Sequence, residues 1–165
     1  MHVSRYLYTF CLYLCLPIIF VRLVWRSFKN SEYRRRWLER LAFYNKSISA
    51  DRQLAIVIHA VSVGEVHGAI PLIRTLIAHH PDLQVIVTTS TPTGSARVRE
   101  LLKNSVTHVY LPYDLPGAMQ RFLTRFSPSI FVLMETELWP NRKNMARWLY
   151  YSSQLFTKNY RGVCQ

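Results

Sequence analysis

Between residues 54 and 134, short apolar runs rich in β-branched side chains alternate with segments of helical spacing, and that alternation leaves little choice of fold. The runs LAIVIHA (54–60), LQVIVTT (83–89), residues 106–111 and SIFVLM (129–134) read as buried strands. Residues 66–80 carry Ile70, Ile73, Leu76 and Ile77 at helical intervals. Pro71 there must sit near the first turn or kink the helix. Residues 94–103 (Val98, Leu101, Leu102) and 115–126 (Met119, Phe122, Leu123) read as two further helices. The order β-α-β-α-β-α-β predicts an α/β fold, a doubly wound parallel sheet with helices on both faces and right-handed crossovers. No repeat, G-x-G-x-x-G or Walker loop is present.

Ahead of this domain, residues 6–25 (YLYTFCLYLCLPIIFVRLVW) are apolar except for Thr9 and Arg22. About 20 helical residues cross a bilayer core. Arg22 can snorkel to the headgroups, and Pro17 is tolerated in such a helix with a kink. A cleaved signal peptide would want a small-residue cleavage site, and none is evident. A buried core helix would be amphipathic or enclosed, whereas this one precedes the domain and is apolar all round. A single anchor, spanning or deeply embedded, fits best. The basic residues that follow (Arg22, Arg26, Lys29, Arg34, Arg35, Arg36) place the domain on the cytoplasmic side. Residues 31–43 have the pattern of a basic amphipathic helix, whose Tyr33, Trp37, Leu41 and Phe43 would dock on membrane or domain. The expected organisation is an anchor over residues 1–27, a linker helix over 28–50, the α/β domain over 51–141 and a basic tail over 142–165.

The net charge of +12 invites a nucleic-acid reading, but its distribution opposes it. Residues 53–141 hold six basic and six acidic side chains, while the remainder holds 15 and three. The excess flanks the folded part, without a nucleic-acid-binding motif, and suits anionic lipid headgroups. Three cysteines (Cys11, Cys15, Cys164) suggest no disulfide framework.

In open parallel sheets ligands bind beyond the carboxyl ends of the strands. Four polar loops fall on that edge. The first is Val61-Ser62-Val63-Gly64-Glu65, where Glu65 is either a first-turn capping residue paired with Ser62 or a general base for a hydroxyl nucleophile. The second, residues 90–95, offers Ser90, Thr91, Pro92, Thr93, Gly94 and Ser95 to a phosphate or sugar, or is an ordinary turn capped by Thr93 or Ser95. The third contains Asp114, expected as the N-cap before Pro116. The fourth carries Glu135 and Glu137, of which one would reach the site and the other pair with an arginine, with Trp139-Pro140 closing the edge. His59 reads as a satisfied core histidine. No His/Cys/carboxylate group has metal-ligand spacing, and no cofactor is expected.

The motifs Ser62-Val63-Gly64-Glu65, Thr91-Pro92-Thr93-Gly94-Ser95, residues 110–116 (YLPYDLP) and residues 134–141 (METELWPN) resemble the 3-deoxy-D-manno-octulosonic acid (Kdo) transferases of lipopolysaccharide assembly. So do Tyr33-Arg34-Arg35-Arg36-Trp37, Glu39-Arg40 and Phe43-Tyr44. The resemblance covers residues 6–141. It implies the N-terminal half of a GT-B glycosyltransferase, with two Rossmann-like domains and a cleft between them. It also implies inverting transfer of Kdo from CMP-Kdo to the lipid A precursor at the inner membrane. Glu65 would be the general base. Ser62, Gly64, Thr91, Pro92, Thr93, Gly94 and Glu137 would line the acceptor side. CMP-Kdo would be held mostly by a second, C-terminal domain.

From Arg142 the sequence leaves the resemblance, with five basic and no acidic residues. A frameshifted or prematurely ended reading frame would produce such a tail. Two functions are therefore expected to compete: a Kdo transferase, or a non-catalytic membrane-bound remnant that binds lipid A without a donor site.

Overall fold

The computed structural model describes residues 2–29, 36–45, 54–134 and 148–150. The apolar runs form β1 (Ala55–His59), β2 (Gln84–Thr89), β3 (Thr107–Tyr110) and β4 (Ile130–Leu133). A short β5 (Trp148–Tyr150) completes a sheet of order β3-β2-β1-β4-β5 in which every pair is parallel. Val57 faces Ile86 on one side and Phe131 on the other, which fixes the register at the centre. The chain steps outward from β1 to β3, then returns to the far side of β1. That reversal falls between β1 and β4, the usual ligand position in such sheets.

The crossovers are α2 (Val63–His79), α3 (Pro92–Leu102) and α4 (Pro116–Phe126). Side chains alternate along each strand, so the core divides between two faces. Ile58, Val85, Val87 and Val132 pack under Val66, Ala69 and Ile73 of α2 and Val98 and Leu102 of α3. Val57, Ile86, Val109 and Phe131 pack under Ala118, Phe122 and Phe126 of α4. Phe122 stacks on Phe126 and Phe131 at centroid distances of 5.0 and 6.3 Å. Burial of each ring contributes about 2–3 kcal/mol. The doubly wound α/β arrangement is the one the alternation predicts.

Four details differ from the sequence expectations. Helix α2 begins at Val63, so Pro71 lies inside it rather than in the first turn. Its missing N–H leaves the His67 carbonyl without an i+4 donor. Thr91, not Thr93 or Ser95, caps α3. Leu115, not Asp114, is the N-cap of α4, with no side-chain capping bond. Pro116 starts that helix with its preset φ and without an N–H to satisfy. Finally, β5 lies within the segment read as a divergent tail.

The N-terminal segment forms α1 (His2–Lys29), with Pro17 inside it. Residues Leu7–Phe28 are long and apolar enough to cross a membrane, with a mean hydropathy of 2.1. One side of α1 lies on the domain. Leu12 and Leu16 pack on the α4-side core, Leu23 and Ser27 are buried, and the Tyr8 hydroxyl donates to Asp114 Oδ2 (3.1 Å). The other side exposes Leu7, Phe10, Leu14, Ile18, Val21, Trp25 and Phe28, a stripe at intervals of three and four.

The basic stretch after α1 does not continue as an amphipathic α-helix to residue 43. Trp37–Leu41 is a 3-10 helix bounded by Arg36 and Ala42, both left-handed (φ 63° and 61°). The reason is the sheet edge it closes. Arg36 donates to Glu39 Oε2 (2.7 Å) and to the His108 carbonyl (2.8 Å), while Glu39 Oε2 accepts from the Tyr110 N–H (3.0 Å). Tyr44 stacks edge-on against Phe126 and donates to the Tyr110 carbonyl. Its phenol is pushed well above the usual tyrosine range, first by burial and then by Glu39. A guanidinium only donates, so Arg36 Nη1 at 3.1 Å makes His108 Nδ1 an acceptor. Nε2–H then points to Thr89 Oγ1 at 3.1 Å. Burial, reinforced by Arg36 and Arg99, holds the His108 pKa down at about 3.

Candidate functional site

The β1–α2 turn follows the strand at the centre of the sheet, at the reversal of strand order. Ser62 has extended backbone (φ −115°, ψ 170°) and caps α2. Its side chain accepts from the Glu65 N–H (3.5 Å), and Glu65 Oε1 accepts in return from the Ser62 N–H (3.1 Å). This is a complete capping box. The Ser62 hydroxyl also donates to Glu65 Oε1, and the Val61 N–H donates to Oε2 (2.8 Å). The capping reading of Glu65 is therefore real. It does not exhaust the group. A carboxylate offers about four acceptor positions, and three are used, leaving one on Oε2. Glu65 is only partly buried.

The β2–α3 turn is tied to the first. Thr91 Oγ1 donates to the Val61 carbonyl (2.9 Å) and accepts from the Gly94 N–H (3.2 Å). A Cβ at Gly94 would meet Thr91 Oγ1 at 3.0 Å and the Val61 carbonyl oxygen at 3.2 Å. Glycine there lets the first turn of α3 approach the β1–α2 turn. Pro92 is buried at the start of α3, and Thr93 is exposed, its hydroxyl 3.4 Å from Thr91 Oγ1. At Gly64 a Cβ would meet only Ser62 Oγ, at 4.0 Å, so that position faces open space.

Ser62, Glu65, Thr91 and Gly94 are thus brought into one constellation, with Gly64, Pro92 and Thr93 at its rim. Glu137, together with Glu135, Trp139 and Pro140, lies outside the described residues. His59 is a satisfied core histidine, as expected, with Nδ1 2.9 Å from Thr88 Oγ1. Among the described residues no three His, Cys, Asp or Glu side chains come close enough to share a metal ion.

Arg40 is a residue whose place the sequence did not reveal. It donates to the Ser90 carbonyl (3.0 Å), lies over the Tyr110 ring (4.6 Å), and its own carbonyl accepts from the Tyr113 N–H (2.9 Å). It thereby joins the 3-10 helix to the β2–α3 and β3–α4 loops. Only its place in the Glu39-Arg40 pair hinted at a role. Between these loops and α1 lies a groove of about 400 Å³, apolar along Leu12, Leu16, Ile19 and Leu23 and basic at Arg22, Arg26 and Arg40.

The chain is thus an α/β domain with a carboxylate and hydroxyl-bearing turns at the carboxyl edge of its parallel sheet. Residues 35–148 match the family model described as 3-deoxy-D-manno-octulosonic-acid transferase (kdotransferase). The chain belongs to that family. It is 45% identical to a 3-deoxy-D-manno-octulosonic acid transferase of Haemophilus influenzae over 83% of this chain and 32% of the relative. It is 37% identical to a probable mitochondrial 3-deoxy-D-manno-octulosonic acid transferase of Arabidopsis thaliana over 76% of this chain and 28% of the relative. With a Bordetella pertussis transferase of the same name it shares 34% identity, over 87% of this chain and 35% of the relative. The chain thus spans about a third of the length of these relatives. The family match extends past residue 141, where the motif resemblance stopped, and takes in the first residue of β5.

Proposed function

We propose that this domain is the acceptor-binding, Rossmann-like half of a GT-B Kdo transferase, and that Glu65 is its general base. The reaction is inverting transfer of Kdo from CMP-Kdo to a hydroxyl of the lipid A precursor. The observation that carries this is the Glu65 carboxylate itself, fixed by three donors at the β1–β4 reversal of the sheet with one acceptor position spare. A base needs a carboxylate within hydrogen-bond reach of the attacking hydroxyl, in a fixed orientation. The capping box supplies that orientation, so capping and catalysis are compatible uses of one side chain. Deprotonation at Oε2 lets the acceptor oxygen attack the anomeric carbon while CMP leaves from the opposite face. Thr91, Pro92, Thr93 and Gly94 sit where the acceptor sugar would be held, with Ser62, Gly64 and Glu137 completing that side. A second domain, carrying most CMP-Kdo contacts, forms the other wall.

Helix α1 serves as the membrane anchor at the inner membrane, with the domain on the cytoplasmic side and its basic residues toward anionic headgroups. This is consistent with a lipid acceptor. A chimera in which residues 35–134 replace the matching segment of the Haemophilus influenzae relative tests the proposal. It is expected to transfer Kdo from CMP-Kdo to the lipid A precursor. A folded chimera without transfer would return the domain to the second reading, a lipid-binding module with no catalytic role.

A further inference from the structure

Arg40 is a cation kept inside the protein, at 8% exposure. A buried charge is costly unless hydrogen bonds and charge partners offset its lost water. The adjacent carboxylate, Glu39, is taken by Arg36 and the Tyr110 N–H. Among the described residues the Arg40 guanidinium instead donates to the Ser90 carbonyl (3.0 Å), hydrogen-bonds the Tyr113 phenol and lies over the Tyr110 ring. Burial raises the Tyr113 pKa, and Arg40 opposes that rise by its charge and its hydrogen bond. The Arg40 carbonyl accepts from the Tyr113 N–H as well. One residue therefore holds Tyr113 by both its backbone and its side chain.

These hydrogen bonds end on loops. Ser90 precedes Thr91, the cap of α3, and Tyr113 stands in the loop before α4, whose start lacks a side-chain cap. The edge of the sheet itself is closed by Arg36, Glu39 and Tyr44. Thr91 reaches the Val61 carbonyl and so joins the β2–α3 turn to the turn of Glu65. Glu65 is fixed by Val61 and Ser62, from within four residues. Loss of the Arg40 fork therefore loosens the two outer loops and leaves the carboxylate in place.

We infer that Arg40 is a positioning residue that sets the Ser90–Thr91 turn and the Tyr113 loop as one rim, on which binding of the acceptor depends and proton transfer to Glu65 does not. This deepens the proposed function and rests on it for the acceptor. Arginine suits the task because its planar fork has separate donors for Ser90 and Tyr113, whereas a lysine is a point charge on a flexible stem.

The chimera with the Haemophilus influenzae relative contains both loops and gives the kinetic test. Arg40→Gln is expected to raise KM for the lipid A precursor about tenfold while kcat stays within about threefold. Arg40→Lys keeps the charge and should raise KM only about threefold. Tyr113→Phe removes the phenol alone and should also cost about threefold in KM. A fall in kcat with KM unchanged, or a lysine no better than glutamine, would overturn the inference. Hydrogen exchange of the 165-residue chain in nanodiscs gives a test without turnover. Arg40→Gln should speed exchange about tenfold over residues 90–95 and 111–115, with residues 61–66 still protected. Equal acceleration over residues 61–66 or along β1 would make Arg40 part of the general fold and sink the positioning role. If Arg40→Gln does not fold, Tyr113→Phe decides, and unchanged KM and unchanged exchange over residues 111–115 would go against it. An inactive parent chimera would count against the catalytic reading alone, and the exchange pattern would then decide the role of Arg40.

Discussion

The β1–α2 turn closes on itself, whereas the β3–α4 turn is closed by residues from far away in the chain. Ser62 and Glu65 satisfy the start of α2 from within four residues. The start of α4 has no side-chain cap. Its loop is held instead by the Arg40 carbonyl on the Tyr113 N–H and by Tyr8 on Asp114, contacts that span 73 and 106 residues. The first turn carries its geometry wherever β1 and α2 go. The second exists only when α1 and the 3-10 helix are docked. The candidate base is therefore on the self-contained turn, and the groove beside α1 is on the assembled one.

The sharpest way to break the assembled side is Glu39→Ala. It leaves Arg36 without its carboxylate and the buried Tyr110 N–H without an acceptor. The expected cost is about 3 kcal/mol, in the range for breaking a buried pair from one side. Urea unfolding in micelles measures it, and hydrogen exchange should rise first along β3 and the 110–115 loop, with the Glu65 turn still protected. Gly94→Ala attacks the junction of the two turns. The new methyl would press on the Val61 carbonyl, costing about 1–3 kcal/mol by overpacking. An unchanged unfolding midpoint would mean that α3 can shift without loss.

The assembled side is also expected to be acid-sensitive. Folded His108 takes its proton only near pH 3, while an unfolded histidine does so near 6.5. Between those values the unfolded chain holds more protons, so stability rises with pH. The contribution is complete above about pH 6.5 and drains away as pH falls toward 3. From pH 7 to 5.5 it amounts to about 1 kcal/mol, read as the difference between the wild-type chain and His108→Asn in urea midpoints at each pH. Parallel curves for the two proteins would remove His108 from the account. The smallest expected effect on the whole fold is that of Ser62→Ala, about 1 kcal/mol for the lost cap. Exchange should increase in the first turn of α2 only.

These two turns also mark what could be read from the sequence. Strands β1 to β4, helices α2 to α4 and the Ser62–Glu65 capping box follow from periodicity and from spacing within one turn. Asp114 before Pro116 looked like the same kind of local cap, and the structure gives it a different task. Its partner, Tyr8, lies on another element, and no local rule connects them. The 3-10 helix was missed for the same reason. Its basic, aromatic composition suits an amphipathic helix, but Arg36, Glu39, Arg40 and Tyr44 are spent on β3 and its loop. The placement of Ser62, Glu65, Thr91 and Gly94 at strand–helix turns was legible, because each follows an apolar run and precedes helical spacing. Arg40 was not, because its reach to Ser90 depends on how the chain before β1 folds back.

The most direct test uses the fact that glutamine can keep a capping box but cannot take a proton as a carboxylate does. In the chimera with the Haemophilus influenzae relative, Glu65→Gln keeps an oxygen for the Ser62 donors and loses the acceptor facing the Val61 N–H, a cost of about 1 kcal/mol. Kdo transfer from CMP-Kdo is then compared among wild type, Glu65→Gln and Ser62→Ala. The account predicts a loss of at least a hundredfold in kcat for Glu65→Gln with the fold intact, against a few-fold loss for Ser62→Ala. Near wild-type turnover in Glu65→Gln, or equal losses in both variants, would contradict it and leave Glu65 as a cap alone.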